Sequence, residues 1–346
     1  MSQLAHNSLS HNCRPIYRSA ALAKALKIDL IELKKLACNA SNLYRLAKAE
    51  EKKDGTIRQT YDANEPLKSL HRKIKRELLD QVNFPPYLTG SIKGRDYKTN
   101  AEIHVSSIIN ISEDVSSFFP STTKEIVFDI WQNFFGFGEK VAKYLTALTT
   151  LDGKLPQGAV TSPQIANLAF WRDESTLQAY FKTNGITYSR FVDDIAISSK
   201  SFLEANQKTE VISKIYGMMV KKGYRPKREK HVITTARSRM TVTKLSVNGK
   251  PGLSKKERSK IRASVHKQEI ALQNEQSHNN IATSLPKVAG KVAMLGRFHE
   301  GQAILLKGRI LKIAQSIPEA IASAKLEIKR KTDLQKRGKK RIKSSI

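Results

Sequence analysis

Three aspartates carry the chemistry this sequence could perform. Asp114 closes a β-patterned run, residues 105–114, in which Ile109 and Ile111 alternate with polar residues. Asp193 and Asp194 lie between two β-rich runs, 186–191 and 195–198, and read as the bend of a hairpin. If the runs share a sheet, the three carboxylates converge, and they repel unless a divalent cation neutralises them. Hard oxygen ligands favour Mg²⁺. Two such ions about 4 Å apart can activate a 3′-hydroxyl and stabilise the pyrophosphate leaving an in-line displacement, so the expected chemistry is nucleotidyl transfer. A lone Asp-Asp pair is ordinarily a solvated turn; the order of the neighbouring segments is what argues for more.

The elements that must position these residues follow from periodicity. Residues 15–50 place Leu26, Leu30, Leu33, Leu36, Leu43 and Leu46 at spacings of three and four, predicting two short amphipathic helices. Lys52-Lys53-Asp54-Gly55-Thr56 is a turn signal followed by a β-capable run, so a hairpin is expected there. Residues 68–81 return to a helical period, and Pro85-Pro86 with Gly90 and Gly94 marks a loop. Thr122 and Glu125 fit a capping box opening a helix over 126–135. Ser162 as N-cap with Pro163 behind it predicts a helix over 164–182, and a further helix spans 202–222. Residues 231–248 are β-branched and basic, and beyond Pro251-Gly252 the composition is helical and cationic.

The chain has 346 residues, with 61 Lys plus Arg against 31 Asp plus Glu, a formal net charge of +30. That excess exceeds what solubility requires and implies a polyanionic partner. Residues 325–346 hold ten Lys or Arg against two acids, a net +8, and read as a basic arm that meets phosphates. Cys13 and Cys38 make no disulfide framework, and no Cys/His cluster has zinc spacing. No run approaches a membrane span and residues 1–14 lack the apolar core of a signal peptide, so a cytoplasmic protein without a membrane partner is expected.

Three segments stand in a telling order: Asp114-Val115-Ser116-Ser117-Phe118-Phe119, then Leu155-Pro156-Gln157-Gly158-Ala159-Val160-Thr161-Ser162-Pro163, then Phe191-Val192-Asp193-Asp194. They resemble motifs A, B and C of reverse transcriptases, with Phe191 where the family's motif C has Tyr. Gly223-Tyr224 through Lys230 is similar to motif D. Residues 52–58 look like the fingers hairpin that holds the triphosphate. Within that superfamily, Asn100-Ala101-Glu102-Ile103-His104 matches the Asn-Ala-x-x-His element of retron reverse transcriptases. Val242-Thr243-Lys244 is similar to their Val-Thr-Gly element, with Lys244 in place of Gly.

The resemblance implies an α+β right-hand polymerase fold. Residues 1–105 would form N-terminal helices and fingers, and 106–248 an antiparallel-sheet palm with a further fingers segment near 125–155. Residues 249–346 would form a basic helical thumb and tail. It assigns Asp114, Asp193, Asp194 and the Val115 carbonyl to two Mg²⁺ ions. Lys230, with Lys227 as alternative, becomes the pyrophosphate's proton donor. Lys52, Lys53, Arg58, Phe119, Gln157 and Gly158 go to the incoming dNTP, with Phe119 under its sugar. Asn100, His104, Val242, Thr243 and Lys244, together with the tail residues Lys339, Lys340 and Arg341, go to RNA.

The implied activity is RNA-directed DNA synthesis on a structured noncoding RNA that is both template and primer. Synthesis starts from a 2′-hydroxyl and yields a branched RNA–DNA hybrid (msDNA). A separate RNase H would remove template, and a nearby effector protein would complete an anti-phage defence system. The competing readings are a reverse transcriptase of an intron-encoded or diversity-generating lineage, and a non-catalytic RNA-binding scaffold.

Overall fold

The computed structural model describes residues 8–51, 55–274, 278–324 and 326. The chain divides into two compact units, residues 1–243 with 247–250, and residues 244–246 with 251–346.

The first unit opens with α1 (Ser19–Ala25) and α2 (Leu30–Cys38), whose Leu22, Leu33 and Leu36 enter the core. Asp29 starts α2 by accepting the Ile31 and Glu32 amides at 2.7 and 3.2 Å. The helix expected across Leu43 and Leu46 is not there. A 3₁₀ turn at Ala40–Leu43 leads into β1 (Tyr44–Glu51), which pairs antiparallel with β2 (Ile57–Ala63). Nearly every β1 residue is exposed, so the run has no apolar face for a helix to bury, and pairing with β2 satisfies its backbone instead. α3 (Leu67–Glu77) and α4 (Tyr97–Glu102) follow.

A four-stranded antiparallel sheet forms the centre of this unit. It contains β3 (Ile109–Asp114), β4 (Ile186–Phe191), β5 (Asp194–Ser199) and β6 (Val232–Thr235), in the order β4-β5-β3-β6. β3 and β5 are buried on both faces over most of their length.

Between β3 and β4 lie α5 (Lys124–Asp129), α6 (Glu139–Thr149), α7 (Ser162–Asn167) and α8 (Glu174–Thr183), and α9 (Ala205–Lys221) follows β5. Three expectations are corrected here. Thr123, not Thr122, caps α5; Thr122 is buried, with its hydroxyl 2.9 Å from the Phe118 carbonyl and 2.8 Å from the Tyr224 hydroxyl. α5 passes into a π turn at Ile130–Phe134 rather than running on to 135. The helix expected over 164–182 is two helices, and it begins at Ser162 with Thr161 as its cap. Residues 164–170 are all buried, so surrounding packing rather than one amphipathic face sets the path of the chain.

The second unit is helical: α10 (Lys255–Gln273), α11 (His278–Gly296) and α12 (Glu300–Ser316) each pack against the other two. Its own core includes Ile261, Val265, Leu285, Val292, Leu306 and Ile313. The solvent side of α10 is strongly basic, with Lys255, Lys256, Lys260, Arg262 and Lys267 exposed.

One buried polar residue stitches the central sheet. His104, fully buried after α4, places Nδ1 and Nε2 each 2.7 Å from a serine hydroxyl, Ser198 on β5 and Ser189 on β4. A neutral ring has one donor and one acceptor, which the two hydroxyls satisfy. Burial pushes its pKa down to about 3. Because the unfolded ring titrates near 6.5, the unfolded chain takes up a proton below that pH that the folded ring refuses, and stability falls on acidification. The His104→Gln variant lacks this titration. The stability advantage of the parent over it should therefore shrink between pH 7 and 5, on the order of 1 kcal/mol per pH unit below 6.5; urea titrations at both pH values measure it.

Candidate active site

Register decides the site. β3 and β5 pair so that Asp114 stands directly opposite Asp194, and the two-residue turn Val192–Asp193 between β4 and β5 puts Asp193 beside them. The Val115 amide donates to the Asp193 carbonyl at 3.1 Å, tying the end of β3 to that turn. Val192 holds a left-handed φ of +62°, a conformation that costs a β-branched residue on the order of 1–3 kcal/mol and persists only where neighbours impose it. Gly90 supplies part of that constraint. A Cβ on it would lie 2.6 Å from the Val192 nitrogen, so only glycine lets the loop approach.

The carboxylates crowd one another. Asp114 is buried and Asp193 half-buried, while Asp194 keeps an exposed face. Burial, then the Asp114 charge, raises the Asp193 pKa. Burial, the Asp193 charge and a hydrogen bond with Asp114 push Asp194 up to about 7. The Lys230 ammonium contacts the Asp114 carboxylate, and the Lys227 amide donates to the Asp114 carbonyl at 2.7 Å. The two carbonyl and ammonium contacts tie residues 227–230 to the end of β3.

Of these residues Asp114, Asp193, Lys227 and Lys230 border a cleft of about 520 Å³, whereas Asp194 is not among those lining it. Arg58, Asp114, Val115, Phe119, Gln157, Asp193, Lys227 and Lys230 all line it. Phe119 reaches it because Ser117, at φ +47°, turns the chain from β3 into a helical turn, Phe118–Ser121. Arg58 comes from β2 and lies near enough to Asp193 to draw its pKa back down. β2 is fixed over the cleft by the Tyr61 amide, which donates to the Gln157 carbonyl at 2.7 Å. Gly158 adjoins the cleft at φ +108°, and a Cβ there would stand 2.7 Å from the Tyr61 carbonyl. Its lack of a side chain serves the approach of β2. Tyr61 and Lys154 also line the cleft and escaped sequence reading; the basic residue three before Gln157 was the one available signal.

Other expected site residues stand elsewhere. Asn100 and His104 cannot read RNA from their positions: both are buried, and Asn100 Oδ1 accepts the Thr89 hydroxyl at 2.7 Å while His104 holds the two serines. Short polar side chains suit base recognition and core bracing equally well, and here bracing prevails. Val242 is likewise a core residue, and the Thr243 hydroxyl donates to the Tyr97 carbonyl at 2.9 Å. Thr243 and Lys244 both adopt positive φ, +46° and +69°, so the turn that glycine would favour forms with Lys244 in it, its side chain exposed. Lys52, Lys53, Lys339, Lys340 and Arg341 lie outside the described residues.

The donor set consists of hard carboxylate oxygens, and burial first and neighbouring carboxylate charge second raise the pKa of Asp193 and Asp194, which fits a divalent cation. Among the described residues no group of three or more His, Cys, Asp or Glu side chains is placed so that it could hold a metal ion. Nor is any described helix long and apolar enough to cross a membrane.

Comparison with known proteins bears on the same residues. The family model "Reverse transcriptase (RNA-dependent DNA polymerase)" matches residues 50–273, which hold the cleft. The Retron Se72 reverse transcriptase of Salmonella heidelberg is 33% identical over 89% of this chain and 82% of its own. The Retron Ec86 reverse transcriptase of Escherichia coli is 28% identical over 71% of this chain and 76% of its own. Among solved structures, an apo telomerase from Candida tropicalis aligns at a TM-score of 0.40 and 9% identity, over 66% of this chain and 61% of that one. The sequence relatives favour the retron lineage over intron-encoded and diversity-generating enzymes, and the chain belongs to the retron-type reverse transcriptases, RNA-directed DNA polymerases of the right-hand fold.

Proposed function

We propose that this reverse transcriptase copies a dedicated structured noncoding RNA from a 2′-hydroxyl primer within that RNA, giving a branched RNA–DNA product, msDNA. The observation that carries the catalytic part is the pairing of Asp114 with Asp194 and the adjoining turn at Asp193, with Asp114 and Asp193 lining a cleft shared with Arg58, Phe119 and Gln157. Retron membership supports the RNA partner. The same membership is the ground for a cytoplasmic setting, a separate RNase H and a nearby effector protein in anti-phage defence. In this reading residues 1–105 and about 125–155 are fingers, 106–248 palm, and 249–346 thumb and tail.

The roles follow from position. Asp114, Asp193, Asp194 and the Val115 carbonyl would hold two Mg²⁺, which when bound supply Lewis-acid stabilisation of the reacting phosphate and its leaving group. Arg58 faces the cleft from β2 with a charge suited to triphosphate oxygens. Lys52 and Lys53, outside the described residues, precede it in the sequence and would carry the same role. Gln157 and Gly158 shape the pocket floor, and the Phe119 ring occupies the space below the sugar, where a 2′-hydroxyl would collide. Lys230 stands at the carboxylates with a proton to give the departing pyrophosphate. The basic face of α10, Lys244 and the tail residues Lys339, Lys340 and Arg341 would track phosphates.

Three outcomes are expected. Asp114→Asn and Asp193→Asn should each abolish primer extension with Mg²⁺ while RNA affinity by filter binding stays within about threefold, because the lost charge serves the reacting phosphate; residual extension at parental rates contradicts the assignment. Phe119→Ala should lower the ratio of kcat/KM for dNTP over rNTP by about ten- to a hundredfold. An unchanged ratio makes the ring mere packing.

The third outcome concerns pH. Asp194 has a folded pKa near 7 against an unfolded value near 3.9, so its contribution to stability is unfavourable once ionised and grows worse as pH rises from about 4 to 7. In EDTA, Asp194→Asn should therefore raise Tm relative to the parent at pH 8, and the gain should shrink by more than half at pH 5 and largely vanish at pH 4.

A further inference from the structure

Arg190 and Glu174 form an ion pair with no exposed side-chain surface on either partner. The guanidinium donates Nε to Glu174 Oε1 at 2.6 Å and Nη2 to Glu174 Oε2 at 2.7 Å, a two-pronged lock. Its remaining donors go elsewhere. Nη2 reaches the Asn167 carbonyl at 2.8 Å, at the end of α7, and Nη1 reaches the Val192 carbonyl at 3.0 Å, in the turn that carries Asp193. The Tyr188 hydroxyl donates to Glu174 Oε1 at 2.7 Å, and the rings of Phe118 and Phe170 lie 5.9 and 5.3 Å from the guanidinium carbon. One side chain thus touches the segments contributing Phe119, the Gln157 loop's helix and the Asp193 turn.

The backbone of Arg190 is held as firmly. Its amide donates to the Tyr87 carbonyl at 2.8 Å, and its carbonyl accepts the Thr89 amide at 3.0 Å, so residues 87–90 lie along β4. Thr89 is the residue whose hydroxyl donates to Asn100, which connects the Asn-Ala-x-x-His element to the same network. Gly90 then presses on Val192, and its carbonyl accepts Asn167 Nδ2 at 2.7 Å.

A buried ion pair is a poor source of net stability, since well-packed neutral residues of similar volume often do as well. What neutral packing cannot supply is a rigid fork that fixes a carbonyl on a strained turn. We propose that Arg190, locked by Glu174, is the positioning residue that sets the Val192–Asp193 turn, and through it the place of the Asp193 carboxylate. The inference rests on Asp193 being catalytic.

Two variants test it in the full-length protein. Arg190→Lys keeps the charge and loses the fork; Arg190→Gln with Glu174→Gln removes the buried charges and with them most of the folding penalty. Primer extension on a generic RNA template is measured per active molecule, the active fraction being read from the burst amplitude of a single dNTP addition. Expected for both is a fall in kcat of about ten- to a hundredfold per active molecule, with KM for dNTP within about twofold. The Mg²⁺ concentration for half-maximal rate should rise severalfold in parallel. A merely structural role would lower the burst amplitude and leave the rate and Mg²⁺ midpoint of the surviving molecules parental, and that result, or full loss of active molecules in both variants, overturns the proposal. Asp193→Asn run alongside separates the two readings: if it extends primers, the catalytic assignment fails; if it is dead while the Arg190 variants are parental, only the positioning role fails.

Discussion

Mutual repulsion among Asp114, Asp193 and Asp194 is the constraint on which the rest of this structure depends. Like charges oppose the gathering of three carboxylates, and burial first, then the neighbouring carboxylate charges, raises the pKa of Asp193 and Asp194. The antiparallel register of β3 and β5 imposes the proximity, because a slip of one residue would send Asp114 to the opposite face of the sheet. That register is fixed in turn by Ile111 opposite Ile197 and by a strand pair buried on both faces, where apolar packing leaves no second solution. Lys230 supplies a countercharge, and a divalent cation is the natural further one.

Holding the backbone against that repulsion takes polar groups in places where apolar ones would pack as well. His104 bridges β4 and β5 through two serines; Asn100 and Thr89 hold the loop that runs along β4; Arg190 anchors the turn. Each is buried and held by the named partners, although the Asn100 Nδ2 is left without one, and each fixes a direction that hydrocarbon contact alone leaves free. The interior of the four-stranded sheet is therefore a hydrogen-bonded frame within an apolar core, running from His104 and its two serines to Arg190 at the Val192 carbonyl.

Close backbone approach is the second device. Gly90 lets a loop lie against Val192, and Gly158 lets β2 lie against the loop after Pro156, in both cases with under 3 Å for any Cβ. The hairpin that brings Arg58 to the cleft thus depends on a residue with no side chain, a hundred positions later in the chain.

Local sequence determined much of this protein. The order of the acidic segments, a hairpin around Val192–Asp194, the helical and basic character beyond residue 251 and the retron family all follow from neighbouring residues whose spacing is short enough to read, although Asp194 opens the strand rather than lying in the bend. The β1 strand, the break between α7 and α8 and the shift of the α5 cap did not, because burial and strand pairing override periodicity when a run is exposed or enclosed all round. The site divided in the same way. Asp114, Phe119, Gln157, Asp193 and Lys230 belong to compact motifs, but whether Asn100 and His104 face RNA or the core depends on which strands lie beside them. Only the tertiary structure could show that Arg190 needs Glu174, because an ion pair spanning sixteen residues of sequence leaves no local pattern, and only folding removes the water that would otherwise make the pairing unnecessary.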